Sequence, residues 1–465
     1  MRTLFLFITA IFIASPLQAA NSPQPLDTSE QVARDIFAEI IAIPSTESGV
    51  GSTPVAEAIA RRLKAAGYPN NDVHVIGPEK RKKNLVARLR GRSGTQAKPI
   101  LLLAHIDVVE APVEQWATNP FELVEKDGYF YGRGTSDIKD GAAILAANMI
   151  RWKREGWVPE RDIIVALTAD EEGGPANGVE WLLKTNRRLI DAEYCLNTDG
   201  GDFQLRDGKP LLTTFETAEK WYSDWTLETH NPGGHSSIPR IDSAVYQLAA
   251  ALQKLQALRF PAQLSETSRE YFRAQAALHT GQAASDMKAG ADGDAQAIER
   301  LSEDSFYNSL LRTTCVATMV EAGHARNALP QMAKANVNCR ATPQTTVEEI
   351  KRAIEQAVGD PGVTVTPAGT WTASPESPLN RQVMAAMERT VNSIWPGVPV
   401  VPFMETGATD GRLLRLAGIP VYAISGVFID MHDVRAHGRN ERIPVKSFYE
   451  GLEFYDRFVK TVARK

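Results

Sequence analysis

Cysteine is scarce in this chain of 465 residues, which contains only Cys195, Cys315 and Cys339. Three cysteines at unrelated spacings give no support to a disulfide framework of the kind found in small secreted domains, nor to a thiolate metal site. One disulfide between two of them stays open. The chain is long enough for two domains that each bury an apolar core, so it does not depend on such cross-links.

An excess of charge of either sign is also missing. The 51 basic and 56 acidic side chains leave a formal net charge of -5, and the isoelectric point is about 6.0. Nucleic acids and anionic membranes attract strongly basic surfaces, so this balance gives no sign of either partner. We therefore expect neither a nucleic acid nor, once a signal peptide is removed, a membrane among the partners of the chain.

Long apolar runs are absent everywhere except at the amino terminus. There Arg2 precedes an unbroken apolar run at residues 4–14, which Pro16 ends shortly before the small residue Ala19. The run is shorter than the roughly 20 residues that span a bilayer, which disfavours a membrane anchor. The pattern predicts a signal peptide at residues 1–19, and hence a secreted protein, or a periplasmic one if the source is Gram-negative.

The rest of the chain alternates between strand-like and helical patterns. Residues 100–104 and 163–167 are bare apolar runs, as expected of strands buried on both faces. Apolar residues recur at helical spacing in residues 31–42, 54–66 and 141–152. The alternation predicts an α/β fold in which a mixed, mostly parallel sheet has helices on both faces.

The middle of the chain follows a different pattern. Residues 222–229 alternate like a half-exposed strand, and strands and helices follow in a mixed order. We interpret this part as a small α+β domain inserted into the first one, with an exposed insertion at residues 274–293. The predicted division is a signal peptide at 1–19, a catalytic domain at 20–217 and 370–465, and an inserted domain at 218–369.

Polar residues with metal-binding side chains follow the predicted strands, where those strands end. His105 follows the run at 100–104, and Glu172 follows the run at 163–167. Ligands of open α/β sheets bind at the carboxyl ends of the strands, and successive members from His105 to Asp199 are separated by about one βα unit of ~30 residues. We therefore expect one rim of the sheet to collect five candidate metal ligands: His105, Asp137, Glu172, Asp199 and His437.

These side chains have the chemistry of a two-zinc site. Zinc takes imidazole nitrogen and carboxylate oxygen as ligands, and two ions ~3.5–4 Å apart can share one carboxylate, here Asp137. Asp107 lies two residues beyond His105, so it is predicted to orient that imidazole. Glu171 is the neighbouring carboxylate that is predicted to take a proton from water. Each residue alone has an ordinary structural explanation, but their order and spacing favour a metal-assisted hydrolase.

The motifs also resemble those of the di-zinc exopeptidase family that includes aminoacylase, carboxypeptidase G, carboxypeptidase S and carnosinase. The resemblance covers nearly all of the chain after the signal peptide. It implies a zinc-exopeptidase-like fold, two Zn²⁺ ions that Co²⁺ or Mn²⁺ could replace, and an inserted domain that acts as a lid and forms a homodimer. It is carried by Leu103–Val109 (LAHIDVV), Gly132–Gly141 (GRGTSDIKDG), Thr168–Gly173 (TADEEG), Asn197–Gly201 (NTDGG), Gly233–Ser237 (GGHSS) and Ala436–Glu441 (AHGRNE).

The same resemblance assigns residues outside the metal set. It implies that His235 stabilises the oxyanion, often in the partner subunit's site, and that Asn327, Arg340 and Thr409 bind the substrate. It also implies a cis peptide bond after Asp137. Plainer explanations stay open, since His235 could cap a turn and Arg340 could pair with a nearby acid.

Two features of the sequence favour different substrate classes. Asp199 stands where many acylases of the family have Glu, and Asp is more typical of aminopeptidases and dipeptidases. The long segment at 261–310 and residues 310–319 instead resemble carboxypeptidase S and the secreted N-acyl amino acid hydrolases. We rank dipeptides or short peptides first and N-acyl amino acids second. A non-catalytic peptide-binding protein, or an enzyme for lactam or carbamoyl bonds, are more distant alternatives.

Overall fold

The computed structural model describes residues 27–464 except 370 and 372, so the predicted signal peptide lies outside the described residues. The α-helices, numbered in chain order, are α1 (Thr28–Ile41), α2 (Thr53–Ala65), α3 (Lys139–Glu155), α4 (Gly178–Thr185), α5 (Ala244–Gln256), α6 (Glu266–Leu278), α7 (Gly281–Asp292), α8 (Ala295–Leu301), α9 (Ser305–Leu311), α10 (Val347–Val358), α11 (Arg381–Ile394), α12 (Gly411–Leu416) and α13 (Val445–Val462). Among these described helices, none combines the length and the apolar composition needed to cross a bilayer.

The strands are numbered in the same way. They are β1 (Val73–Ile76), β2 (Asn84–Leu89), β3 (Ile100–His105), β4 (Val124–Lys126), β5 (Tyr129–Tyr131), β6 (Ile163–Thr168), β7 (Tyr194–Asn197), β8 (Phe203–Arg206), β9 (Lys209–Glu219), β10 (Trp221–His230), β11 (Gly234–His235), β12 (Thr314–Ala322), β13 (Ala328–Leu329), β14 (Met332–Ala341), β15 (Val363–Pro367), β16 (Val400–Glu405), β17 (Val421–Ala423), β18 (Phe428–Asp430) and β19 (Arg442–Pro444).

A mixed sheet of ten strands forms the centre of the molecule. Its order is β1-β2-β6-β3-β7-β17-β9-β8-β18, and β16 joins it beside β9. Strands β6, β3, β7 and β17 run parallel to one another in the middle. Antiparallel pairs lie towards both edges. The predicted α/β fold class with a mostly parallel sheet is confirmed.

Helices cover both faces of this sheet, which explains the apolar runs in the sequence. On β3, Leu102 and Ala104 pack in the core formed with α1, α3 and α13, whereas Leu101 and Leu103 pack in the core formed with α4 and α12. Successive side chains of a strand point to opposite faces, so a strand that is buried on both faces must be apolar throughout.

A four-stranded antiparallel sheet of order β12-β14-β10-β15 is built from the middle of the chain. Trp221 and Trp225 on β10 pack against α5 and α10 in a separate core. A disulfide joins Cys315 on β12 to Cys339 on β14, and Cys195 is free and buried. The proposed domain boundaries at 217/218 and 369/370 stay predictions.

The expectation of an exposed insertion at residues 274–293 is wrong. This segment lies in α6 and α7, and its Ala276, Met287 and Ala291 are buried with Phe272 in a core that also contains Phe403 of β16, whereas Leu278 is exposed. Ala and Gly are small, so the segment looked polar and loop-like although its Ala276, Met287 and Ala291 recur on one helix face. Its contact with β16 places these helices against the large sheet.

Candidate two-metal centre

The carboxyl ends of the parallel strands bring the predicted ligands together. Strand β3 ends at His105, which is paired in register with Thr168 at the end of β6, and β7 ends at Asn197, two residues before Asp199. Parallel strands end at the same edge of a sheet, so residues that are far apart in the chain lie on one rim.

Two groups of possible metal-binding side chains meet at this rim. One consists of His105, Asp137 and Asp199, and the other of Asp137, Glu172 and His437. Within each group the candidate ligand atoms lie within 4.8 Å of one another. Asp137 belongs to both groups, which is the arrangement expected of a carboxylate that bridges two ions.

The two imidazoles contact different oxygens of Asp137. Nε2 of His105 is 3.0 Å from Oδ1, and Nε2 of His437 is 2.9 Å from Oδ2. Nε2 of His437 is also 2.9 Å from Oε2 of Glu172. The peptide bond between Asp137 and Ile138 is cis, as the resemblance implied.

The donor set fits divalent cations. Oε1 of Glu172 is buried and has no hydrogen-bond partner among the described residues. A carboxylate oxygen that is buried without a donor is unfavourable unless a cation binds it. Two imidazoles and three carboxylates are ligands that zinc accepts, and together they would satisfy two ions with positions left for water and substrate.

Burial and the neighbouring carboxylates shift the pKa values of the candidate ligands. Burial raises the pKa of Asp199 to about 8, and the nearby carboxylate of Asp137 acts in the same direction. Hydrogen bonds to Asp137 and Glu172 raise the pKa of His437 to about 10. Although burial opposes it, the hydrogen bond to Asp137 raises the pKa of His105 well above its usual value. The negative charge of the carboxylates therefore stabilises the protonated form of both imidazoles. Bound cations would balance the same negative charge.

Asp107 has a different position from the one predicted for an orienting carboxylate. Nδ1 of His105 is 3.0 Å from the main-chain oxygen of Asp107, whereas it is 3.7 Å from the carboxylate oxygen Oδ1. The carboxylate instead accepts the main-chain N–H groups of Glu171 and Glu172, at 3.2 and 3.1 Å. Asp107 thus orients the imidazole through its carbonyl and fixes the Glu171–Glu172 turn through its side chain.

Glu171 lies beside this centre. Burial raises the pKa of its carboxyl well above the usual value, and the charge of Asp199 acts in the same direction while His105 opposes it. The main chain of Glu171 is held by Asp107, so the side chain projects from a fixed turn. This is a position from which a carboxylate can exchange protons with water at the rim.

Glu441 is a residue of this site whose role the sequence did not reveal, although it is the last residue of the motif at 436–441. Its fully buried carboxylate accepts the N–H groups of Gly134, Ser136 and Asp137, at 3.1, 2.7 and 3.2 Å. It also pairs with Arg133 at 2.6 Å, and Arg133 donates to the main-chain oxygen of Gly438 at 3.0 Å. The pair therefore ties the turn that carries Asp137 to the loop that carries His437.

Asp410 and Thr409 make hydrogen bonds that support the loops at the rim. Asp410 directly precedes α12, but its side chain makes no capping bond to that helix. Its buried carboxylate accepts hydrogen bonds from Asn177 at 2.6 Å and Thr168 at 3.2 Å. The Thr409 hydroxyl accepts the N–H of Gly411 at 3.0 Å and so holds the loop, and its assignment to substrate binding stays a prediction.

The contacts of His235, Asn327 and Arg340 are made with residues in the middle of the chain. Nδ1 of the exposed His235 is 2.7 Å from Oγ of Ser237, and the main-chain oxygen of Asn327 accepts the N–H of the residue that follows His235. The guanidinium of Arg340 lies 4.9 Å from the ring centre of Tyr222. In the part of the chain that the structure describes, no hydrogen bond or ion pair joins these three residues to the five candidate ligands.

Comparisons with known proteins agree with this fold. The sequence pattern of Peptidase family M20/M25/M40 matches residues 101–461. The chain is 29% identical over 382 residues to the N-fatty-acyl-amino acid synthase/hydrolase PM20D1 of Bos taurus, covering 79% of this chain and 75% of the relative. It is 25% identical over 373 residues to Aminoacylase-1 of Homo sapiens, covering 78% and 80%.

A solved structure shows the same fold. The M20 family metallo-carboxypeptidase Sso-CP2 from Sulfolobus solfataricus superimposes with a TM-score of 0.69 at 17% identity. The alignment covers 93% of this chain and 99% of that protein.

Glu441, through its ion pair with Arg133 and its hydrogen bonds to the 134–137 turn, forms a clamp on the position of Asp137. This clamp yields a first prediction. Glu441→Gln removes the charge that pairs with Arg133 and weakens the bonds that hold the 134–137 turn, so the position of Asp137 relaxes. We expect the affinity for zinc to fall by about 10–100-fold, as is usual when a residue that supports a metal ligand is changed. The measurement is a titration of zinc against a competing chelator.

Glu348→Gln is the matched control, because Glu348 is exposed on α10. Its zinc affinity should equal that of the unmodified protein. An unchanged affinity in Glu441→Gln would show that the clamp does not position the ligands.

Proposed function

Because the chain belongs to peptidase family M20/M25/M40, whose members hydrolyse peptides or N-acyl amino acids, we propose that its substrates are N-acyl amino acids and that it uses two zinc ions. The observation that carries the metal-dependent reaction is the carboxylate of Asp137, shared by two groups of candidate ligands. The choice of N-acyl amino acids is supported by the similarity of nearly four fifths of the chain to the N-fatty-acyl-amino acid synthase/hydrolase PM20D1 and to Aminoacylase-1.

The candidate ligands would be divided between two ions. His105 and Asp199 would hold one, Glu172 and His437 would hold the other, and Asp137 would contact both. When bound, divalent cations polarise an amide carbonyl and lower the pKa of a water molecule.

The chain's own residues would then move the protons. Glu171 takes a proton from the attacking water, and it returns that proton to the nitrogen of the departing amino acid. Asp107 keeps Glu171 in place through its main-chain N–H. The products are a carboxylic acid and a free amino acid.

Hydrolysis of dipeptides is the second candidate, and one residue favours it. The candidate ligand at position 199 is Asp, the residue more typical of aminopeptidases and dipeptidases in proteins that the sequence resembles. The carboxylate of Asp199 is buried beside His105 and Asp137, so this choice of residue affects the centre directly. From the sequence, dipeptides rank first because of this residue alone. The similarity to PM20D1 and Aminoacylase-1 favours N-acyl amino acids instead.

A panel of matched substrates decides between the two. Free dipeptides that end in leucine and N-acyl leucines, in which an acyl group blocks the same leucine nitrogen, would be incubated with the zinc-loaded protein, and release of free leucine would be measured. We expect blocked substrates to be cleaved with the higher kcat/KM, and a chelator to abolish the cleavage. Faster cleavage of the free dipeptides would contradict the proposed substrate class, and cleavage of neither would contradict the proposed bond type.

Glu171→Gln tests the assignment of the base. General acid–base catalysis contributes typically ~10²–10⁴-fold, so kcat should fall by at least about a hundredfold while the zinc content stays at two ions per chain. Glu180→Gln, on the exposed side of α4, removes a carboxylate that pairs only with Lys184 and should leave kcat unchanged. Activity above about a hundredth of that of the unmodified protein would rule out Glu171 as the base.

We propose that the protein is exported. The apolar run at residues 4–14 supports a signal peptide, and the disulfide between Cys315 and Cys339 suits an oxidising compartment. Mass spectrometry of the protein expressed with its full sequence should find a chain that begins at or near Ala20, and Ile11→Arg should prevent this cleavage. An uncleaved chain retained in the cytoplasm would contradict export.

We also propose a homodimer formed through β12, at the edge of the four-stranded sheet. This strand exposes Val316, Met319 and Val320, and its outer edge lacks a partner strand among the described residues. An edge of this kind readily pairs with a second chain, which would also give the exposed His235 a site to serve in its partner. Sedimentation should show a dimer that Val320→Asp dissociates, whereas Val158→Asp, in an exposed loop, should not. A monomer at micromolar concentration would contradict this.

A further inference from the structure

A cavity of about 350 Å³ lies where α6 and α9 face strands β8, β9 and β16 of the large sheet. Its lining shares no residue with the candidate two-metal centre. The helical part of its wall comes mostly from the segment 261–310, to which the proposed reaction assigns no role. A volume of this size is within the range of about 300–1,000 Å³ that small-molecule sites occupy.

Aromatic rings form a large part of the wall. The rings of Tyr271 on α6 and Phe403 on β16 have centres 5.5 Å apart. Those of Phe306 and Tyr307 on α9 have centres 5.9 Å apart. Aromatic pairs in offset or edge-to-face arrangements are stabilised beyond the area that they bury. This wall therefore favours a planar aromatic ligand over a saturated one of the same size.

Three buried polar side chains in the wall make no hydrogen bond with any described residue. They belong to Thr214, Tyr271 and Gln275, which are only 1%, 6% and 7% exposed. Nδ1 of His279 is 2.8 Å from the main-chain oxygen of Gln275, so this contact leaves the side-chain amide free. Burying a polar group without a partner is unfavourable, so the cavity is suited to a ligand that carries a hydroxyl group as well as a ring.

Positive charge lies at the mouth of the cavity. Arg206, the last residue of β8, is exposed and makes no ion pair among the described residues. The described lining contains no Asp or Glu, so a carboxylate that approaches Arg206 meets no acid in the wall. A guanidinium can bind a carboxylate through two parallel N–H···O bonds, which makes Arg206 suited to an anionic group.

We propose that this cavity is a second binding site, separate from the two-metal centre, for a small aromatic carboxylate that also carries a hydroxyl group. The aromatic wall binds the ring, the hydroxyls of Thr214 and Tyr271 bind the hydroxyl group, and Arg206 binds the carboxylate. The inference goes beyond the proposed function and does not depend on it, because the cavity and the candidate metal ligands have no residue in common.

Four related compounds test the chemistry of the ligand. The fluorescent probe 6-hydroxy-2-naphthoate has all three features, and we expect it to bind saturably to the zinc-loaded protein. Each competitor lacks one feature: 2-naphthoate the hydroxyl, 6-hydroxy-2-naphthamide the charge, and 6-hydroxydecahydro-2-naphthoate the aromatic rings. Each should bind about threefold or more weakly than the probe. No saturable binding, or equal affinity for all four compounds, would overturn the proposal.

Arg206→Gln locates the carboxylate. The affinity for 6-hydroxy-2-naphthoate should fall by about threefold, because an exposed ion pair is lost, whereas the affinity for the uncharged naphthamide should stay the same. Arg389→Gln makes the same change at an exposed residue of α11 that does not line the cavity, and it should leave both affinities unchanged. An unchanged affinity for the naphthoate in Arg206→Gln would place its carboxylate elsewhere, for example on the metal ions, and would overturn the proposal.

The double variant Thr214→Val/Tyr271→Phe locates the hydroxyl group. It removes both hydroxyls with little change of shape, so 6-hydroxy-2-naphthoate should bind no more tightly than 2-naphthoate. The melting temperature should not fall, because neither hydroxyl has a hydrogen-bond partner among the described residues. Tyr246→Phe, at a residue that is 74% exposed, is the control and should keep the preference for the hydroxylated compound. A preference that persists in the double variant, or a lowered melting temperature with unchanged affinity, would overturn the assignment of these hydroxyls to a ligand.

Discussion

The contact of both imidazoles with one carboxylate organises this molecule. Asp137 receives His105 on one oxygen and His437 on the other, although these residues are separated by more than three hundred positions in the chain. Bringing several carboxylates so close together is unfavourable unless positive charge is supplied. Burial, with the charge of Asp137 acting in the same direction, raises the pKa of Asp199, and Oε1 of Glu172 is buried without a hydrogen-bond partner among the described residues. Such a group of side chains is suited to hold cations, as the proposed metal-dependent hydrolysis requires.

Buried ion pairs maintain that crowding by tying the rim loops to one another. Arg133 and Glu441 join the turn of Asp137 to the loop of His437. Lys82 pairs with both Glu47 and Asp170 and so joins the segment 45–52 to the end of β6. Arg415 pairs with Glu219 at 2.5 Å and lies 3.4 Å from Glu216, whose carboxylate also receives the N–H of Gly201 next to the Asp199 loop. A buried pair that loses one partner leaves an unpaired charge, so each of these is sensitive to substitution.

Much of the fold could be predicted because local pattern and tertiary role agree in it. The run at 100–104 is apolar since both faces of β3 are covered, and the helical periodicity at 31–42 and 141–152 corresponds to α1 and α3. The prediction failed for 274–293, where small residues fill a helix interface and do not stand out by hydrophobicity. The role of Asp410 could not be predicted either, because the same residue type caps helices and accepts buried hydrogen bonds, and only its neighbours distinguish the two.

The sequence by itself determined the order of the elements, the α/β class and the identity of the side chains that could bind metal, because these depend on periodicity and residue chemistry. Only the tertiary structure decided which side chains meet. Glu441 and Asp107 had plausible roles of several kinds, and their hydrogen bonds with the 134–137 and 171–172 turns were settled by the packing of distant segments. The aromatic cavity likewise arises where α6 and α9 face β8, β9 and β16. Such contacts join residues that no local pattern relates, and so they exist only in the folded chain.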